Sequence, residues 1–565
     1  MVVSVTAVGG AAYSATAGAS SAPDALVTSG SPAGVFPQNK QIEPTIARDP
    51  VSGVLIAGAI DFIDNEPCSQ QSDGSGSCPF TNGVGDAGVY FSLDNGSSWI
   101  QPTYTGYSAR TGTAVAGGPI GTLPRYYEAG LVTDGDPAVA VGPRPDASGQ
   151  FSWSNGSRYY YADDVSNFPG SSTLETNFEA VAVSHTDDVA GAVAGHNSAW
   201  SAPSIASGRL NPVQENDKDA LWADNAASSP YFGRVYASWT AFRGAEKSHT
   251  FSVPGAIMVA HSDDGGVTWS GPVQVSPAHD NTHNVGPQGS VIRTDSNGIV
   301  YVFLEGAIGT QSVQEMAISS DGGHTFSTPR PVAQVVDVGV FDSFAGQPVF
   351  DGFSGTPTNS FPSVDIANGA PTGQAATNRI VLGWSDARKG LGSEQALLQT
   401  SSDGGASWSS PVAVESPGDR PDFTAVAISP DGGTAYAVYD AFHGVYSDLS
   451  QPRPVEGVVV ALNGNLSGPV TELHRGVTGD ARAASSNSYV VPFIGDYNTA
   501  VASNDGVYAA WNDLRFADDC PAIDAWRTAF RSDPSTAPPQ PYPPAACGTT
   551  SRFGNTDIFS GVFSR

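Results

Sequence analysis

Basic residues are scarce in this chain: 25 Lys and Arg stand against 55 Asp and Glu, a formal net charge of −30 over 565 residues. A surface of that sign repels phosphate backbones and anionic lipid headgroups, so nucleic acid and charged membrane surfaces are excluded as partners. Charged residues of both signs amount to only 14%, and the excess acid reads first as the solvated surface of an exported protein. No apolar run is long enough to cross a bilayer as a helix. Helical apolar periodicity is equally sparse, so little helix is expected. There are four cysteines, in two local pairs, Cys68 with Cys78 and Cys520 with Cys547. Neither pair has the C-x-x-C spacing of a metal site, and two disulfides formed in an oxidising compartment are expected. Residues 1–17 resemble the apolar part of a secretory signal without its basic start, the first Lys or Arg being Lys40. Residues 1–24 are therefore read as a signal remnant or flexible tail, and 25–565 as one domain of a secreted protein.

Glycine and proline, by contrast, are plentiful at 65 and 42 residues, which fits many short strands joined by turns. Four of those turns share one pattern, Ser-x-Asp-x-Gly-x-(Ser/Thr)-aromatic. They run Ser92-Leu-Asp94-Asn-Gly96-Ser-Ser98-Trp99, Ser262 to Trp269, Ser319 to Phe326 and Ser401 to Trp408. The spacing is that of a tight hairpin. The Asp folds back on backbone N–H groups, Gly supplies a positive φ, and the hydroxyl adds a local hydrogen bond. The aromatic then leaves the turn to pack between neighbouring sheets. Four copies mark a repeat protein. The octapeptide resembles the Asp-box, or bacterial neuraminidase repeat, of the sialidase-like β-propellers.

A longer unit recurs around it. Its second strand ends in an aromatic and an acidic or basic residue, as in Ile380-Val-Leu-Gly-Trp384-Ser-Asp386-Ala-Arg388 and Val507-Tyr-Ala-Ala-Trp511-Asn-Asp513-Leu-Arg515. Units fall near 41–105, 132–208, 218–276, 287–335, 361–415, 421–475 and 489–563, the second being the least regular. The fold expected is all-β: a propeller of four-stranded antiparallel blades, seven favoured and six the alternative. The last unit stops after its third strand, so a segment within 25–36 is expected to supply the fourth and close the ring.

In such a blade the start of the inner strand and the end of the second strand reach one face, while the Asp-Gly hairpins lie on the other. Glu43, Asp136, Asp219, Gln288, Asp422, Asp496 and Tyr497 are expected on that face from inner strands, and Asp61, Arg243, Glu305, Asp386, Arg388, Asp440, His443, Asp513 and Arg515 from second strands. Both cysteine-bounded insertions follow second strands of ring neighbours and could wall the mouth. Catalytic candidates are Asp496, Tyr497, Glu43 and Asp136, since carboxyl groups gathered at a concave mouth can act as acid and base on a glycosidic bond. Substrate-binding candidates are Arg243, Arg388, Arg515, Asp386, Asp513 and His443. For the arginines and their neighbouring aspartates the alternative is a clasp fastening the loop of their own blade. The sialidase resemblance would imply an Arg-Ile-Pro motif, an arginine triad and a Tyr–Glu nucleophile pair. The first inner strand instead reads Gln41-Ile-Glu43-Pro44, and Arg-Ile-Pro occurs nowhere. Two readings follow: a secreted exo-acting glycoside hydrolase, or a non-catalytic propeller binding glycan or protein. No cofactor or metal is required. Asp134 and Asp136 are carboxylates on which Ca2+ could sit, though no complete loop motif supports it. The partner expected is an extracellular glycan or glycoconjugate, and the chain is expected to be a monomer.

Overall fold

The computed structural model describes residues 24–564 apart from 69–77, 79, 175–178, 209–213, 244–253, 281–286, 343–346, 353–359, 446–450, 487–489, 542–544 and 549–550. The leader expected over 1–24 lies almost wholly outside the described residues.

Short runs of alternating Val, Ile, Ala and aromatics, punctuated by Gly, Pro and Asp turns, cannot bury a face alone and pair into antiparallel sheets. Seven blades result, so the six-blade alternative falls away. Their inner strands are Gln41–Arg48, Leu131–Pro145, Gln214–Ala223, Gln288–Thr294, Ser363–Ile366, Arg420–Ile428 and Thr499–Ser503. Each pairs with the next strand in sequence, outward to a short fourth strand such as Val273–Gln274 or Thr471–Arg475. In blade 1 the fourth position is reduced to a single bridge between Phe91 and Ile100, and the chain then leaves in a separate hairpin, Tyr104–Ser108 with Val115–Ile120. The last blade is completed from the other end of the chain: Ala25 and Leu26 pair with Ser560 and Phe559. The closing segment is thus the one anticipated, though only two residues of it are strand.

One apolar cluster occupies each of the seven blade-to-blade seams, from Ile56, Phe91 and Tyr161 between blades 1 and 2 to Leu55, Tyr90 and Tyr508 between blades 7 and 1. The ring is therefore continuous.

The Asp-Gly hairpins fold as their spacing demands. Ser92 Oγ donates to Asp94 Oδ1 (2.9 Å) and accepts from the Gly96 N–H (2.8 Å), while Asp94 accepts from the N–H (2.9 Å) and hydroxyl (2.6 Å) of Ser98. The same set recurs at Asp264, Asp321 and Asp403. The aromatic of each hairpin reaches the preceding blade: Trp99 Nε1 donates to Ser560 Oγ (2.8 Å) and Trp269 Nε1 to Ser204 Oγ (3.0 Å). In the irregular blade 2 a short helix, Val189–Val193, capped by Asp188, stands where the hairpin would be.

Both expected disulfides are present, Cys68–Cys78 and Cys520–Cys547. They share one core with Phe36, Ile523, Trp526 and Phe553, so the two insertions are packed together. The second insertion carries the helix Pro521–Ser532.

Candidate functional site

Five inner strands break register at equivalent places near their starts. The breaks lie between Ile42 and Thr45, Gly135 and Ala138, Asp217 and Ala220, Gln288 and Val291, and Asp422 and Ala425. Each break contains a residue with positive φ: Glu43 (60°), Asp136 (54°), Lys218 (57°), Gly289 (63°) and Phe423 (52°). A bulge of this kind re-aims the side chain it carries. Here the outcome is a set of unlike side chains gathered at one end of the propeller axis.

Glu43 from blade 1, Asp136 from blade 2, Lys218 from blade 3 and Asp496 with Tyr497 from the entry to blade 7 meet there. Lys218 Nζ forms an ion pair with Asp496 and lies 3.8 Å from the centre of the Tyr497 ring. The Lys218 backbone N–H donates to Asp136 Oδ2 (2.8 Å), and the Tyr497 hydroxyl donates to Asp136 Oδ1 (3.4 Å). Phe361 closes the other side of the ammonium, 5.0 Å away. Its ring also explains the glycine of blade 4, because a Cβ on Gly289 would stand 2.3 Å from it.

Below this cluster an axial cavity of about 450 Å³ is lined by the inner strands of all seven blades. Lys218, Asp219, Asp496 and Tyr497 form its upper end; Arg48, Asn225, Asn368 and Asp505 line the opposite end.

Charge in the cluster is uneven, and its titration follows. Burial, then repulsion from Asp496 and Asp136, pushes the Glu43 carboxyl well above the usual range. Glu43 is 5% exposed. Burial raises Asp496 as well, with Lys218 pulling against it. Burial alone would lower Lys218, but Asp496, Asp136 and Glu43 more than offset it and hold the ammonium above its ordinary value. Burial, with Asp136 next, lifts the Tyr497 phenol far up, so it is no phenolate without a base.

The four catalytic candidates read from the sequence, Glu43, Asp136, Asp496 and Tyr497, are therefore brought together. The substrate-binding candidates make their contacts elsewhere. Asp386 accepts from Trp384 Nε1 (2.9 Å), from the Arg388 N–H (2.8 Å), and from Arg388 Nε (2.7 Å) and its terminal nitrogen (2.8 Å). Asp513 repeats this with Trp511 and Arg515, and Arg515 also pairs with Asp24 beside the closing strand. Both arginines thus fasten their own loops. His443 bonds Glu456 (3.0 Å), which with Asp419 and Glu472 also holds Arg475. The Arg243 side chain lies outside the described residues. Asp61, another rim candidate, is saturated by Gln41, Ile63, Tyr90 and Gln101.

Lys218 is the residue that sequence reasoning passed over. It is one of four lysines in the chain and sits between Asp217 and Asp219, a rarity that does not name its partner.

No family model matches the chain, and no curated protein sequence matches it. Among solved structures it is similar to a Hadza microbial sialidase (14% identity, TM-score 0.37, covering 76% of this chain and 71% of that one). It is also similar to an intramolecular trans-sialidase from Ruminococcus gnavus (14%, 0.37, 73% and 92%). An α-L-arabinanase from Penicillium chrysogenum is a third (14%, 0.40, 79% and 99%). At these values the likenesses carry no inference about reaction or substrate.

Proposed function

We propose that this protein is a secreted glycan-acting propeller, a glycoside hydrolase whose chemistry lies at the upper end of the axis. One observation carries the reading: a phenol directed at a carboxylate, Tyr497 on Asp136, beside a buried carboxyl group, Glu43, whose hold on its proton burial and the neighbouring acids strengthen. A glycosidic bond needs such an unequal pair. In the proposed reaction Tyr497 Oη attacks the anomeric carbon as Asp136 takes its proton. Glu43 donates its proton to the departing glycosidic oxygen. Water then attacks the glycosyl-tyrosine carbon, giving one proton to Glu43 while the phenolate recovers its own from Asp136. Lys218 and Asp496 keep Tyr497 in place by ring contact and ion pairing. With Asp136, Asp217, Asp219 and Asp496 around one ammonium among the described residues, a substrate bearing its own carboxylate would be repelled. A neutral or amino sugar fits better than a sialic acid.

The internal saturation of Lys218 by Asp496 favours a second reading, a propeller that binds glycan without cleaving it. A panel of fluorogenic glycosides, sialosides included, separates the two. Hydrolysis of a neutral or amino glycoside is expected, falling at least ~100-fold in Tyr497→Phe and in Glu43→Gln. Retained glycan-array binding without turnover of any substrate would support the second reading. Turnover unchanged in both variants would remove this site from the chemistry.

A further inference from the structure

Asp136, Asp164 and Asp217 lie at the seam of blades 2 and 3, each offering a carboxylate oxygen within 4.8 Å of the other two. Asp136 and Asp217 come from the bulged starts of the two inner strands, and Asp164 from the second strand of blade 2, paired with Gly135. Asp164 is 7% exposed, and its Oδ1 is buried without a hydrogen-bond partner. Both oxygens of Asp219, two positions after Asp217, are equally buried and unpartnered. Among the described residues the nearby ammonium, Lys218 Nζ, bonds Asp496, and no hydrogen bond reaches Asp164 Oδ1 or either oxygen of Asp219. Buried carboxyl oxygens without donors are costly, and a bound cation satisfies them as a proton would.

We propose that Asp136, Asp164 and Asp217 bind a single hard divalent cation of the Ca2+ class. The donor set is oxygen alone, with neither His nor Cys, which selects against Zn2+ and softer metals. Oxygens at this spacing fit around one ion at the ~2.3–2.6 Å distances that Ca2+ prefers, and their mixed backbone origins leave room for solvent or sugar hydroxyls to complete its sphere. The ion would fix the Asp136 carboxylate against which the Tyr497 hydroxyl rests. Binding is a property separate from turnover and is tested without substrate.

Chelator-stripped protein is titrated with CaCl2 in 150 mM NaCl by calorimetry, and with Tb3+ by luminescence sensitised through nearby tyrosine. One Ca2+ per chain is expected, with a midpoint of thermal unfolding raised by at least ~2 °C at saturation. Asp164→Asn and Asp217→Asn should each weaken binding at least tenfold and erase the thermal shift, while Asp505→Asn at the opposite end of the axis should leave both intact. Should neither cluster variant fold by circular dichroism, Tyr497→Phe decides: stoichiometric Ca2+ binding with loss of Tb3+ emission sustains the site. Absence of stoichiometric binding in the unmodified protein overturns the proposal. So does unchanged affinity in a folded Asp164→Asn protein.

Discussion

Replacing Lys218 by Met tests the electrostatics of the axis most directly. The substitution keeps the length and apolar stem of the side chain and, because neither residue is glycine, leaves the backbone preference at φ 57° unchanged. What it removes is the ammonium paired to Asp496 and set over Tyr497. Deleting one partner of a buried ion pair typically costs about 3–5 kcal/mol. The lower end applies here, since the Lys218 and Asp496 side chains retain 15% and 16% of their exposure. For a chain of 565 residues, an unfolding entropy of ~2.1 cal/mol/K per residue turns about 3 kcal/mol into a fall in Tm of about 2–3 °C. The pH dependence is the sharper signature. Burial already raises Asp496 and Lys218 opposes it, so without the lysine the folded-state value climbs further above the unfolded one. An acid whose folded pKa is raised binds its proton more tightly when folded, and its penalty is present at high pH and recedes as pH falls through that value. Calorimetry in EDTA should show the deficit of Lys218→Met largest near pH 8 and reduced by at least half near pH 5. A deficit independent of pH, or none at all, would refute this account of the cluster.

Asp386→Ala should cost about 2–4 kcal/mol by stranding the Trp384 indole N–H and the Arg388 guanidinium; a loss under ~0.5 kcal/mol in chemical denaturation would show that the clasp is ornamental. Gly457→Ala would set a Cβ 2.3 Å from the Trp511 indole at the seam of blades 6 and 7, and overpacking of about 1–3 kcal/mol is expected, read as a lower Tm. Removing the Cys520–Cys547 bridge, which spans 27 residues, with paired Ser substitutions should lower stability by about 3 kcal/mol. The unreduced native protein should take up no iodoacetamide.

What was legible in the sequence was what is locally determined. The Asp94 hairpin is decided within eight residues, because every partner of its carboxylate lies within four positions. The closing strand at Ala25–Leu26 was legible by counting, since a ring with three strands in its last blade must find a fourth. Arg388 and Arg515 carried two readings, substrate clamp or loop clasp, and each bonds the Asp two positions earlier, a pairing as local as the hairpin. Lys218 and Asp164 were illegible for the opposite reason. Lys218 acquires its meaning from Asp496, 278 positions away, and Asp164 from an inner strand whose register slips by a bulge. Alternation along a strand fixes which face a residue takes only until a bulge intervenes.

Those bulges also explain how a repetitive scaffold can hold a site that does not repeat. The slip occurs in five inner strands, so the backbone device belongs to the fold. Glycine would occupy each left-handed position without strain, yet only blade 4 uses it, where the Phe361 ring leaves no room for a Cβ. Glu43, Asp136, Lys218 and Phe423 tolerate a conformation that costs of order 1 kcal/mol or more for a side chain of this kind. Strain is thus accepted at four positions, at the level of the propeller where the side chains of Glu43, Asp136 and Lys218 converge. The hairpins on the far side, each built alike, have only the ring to hold.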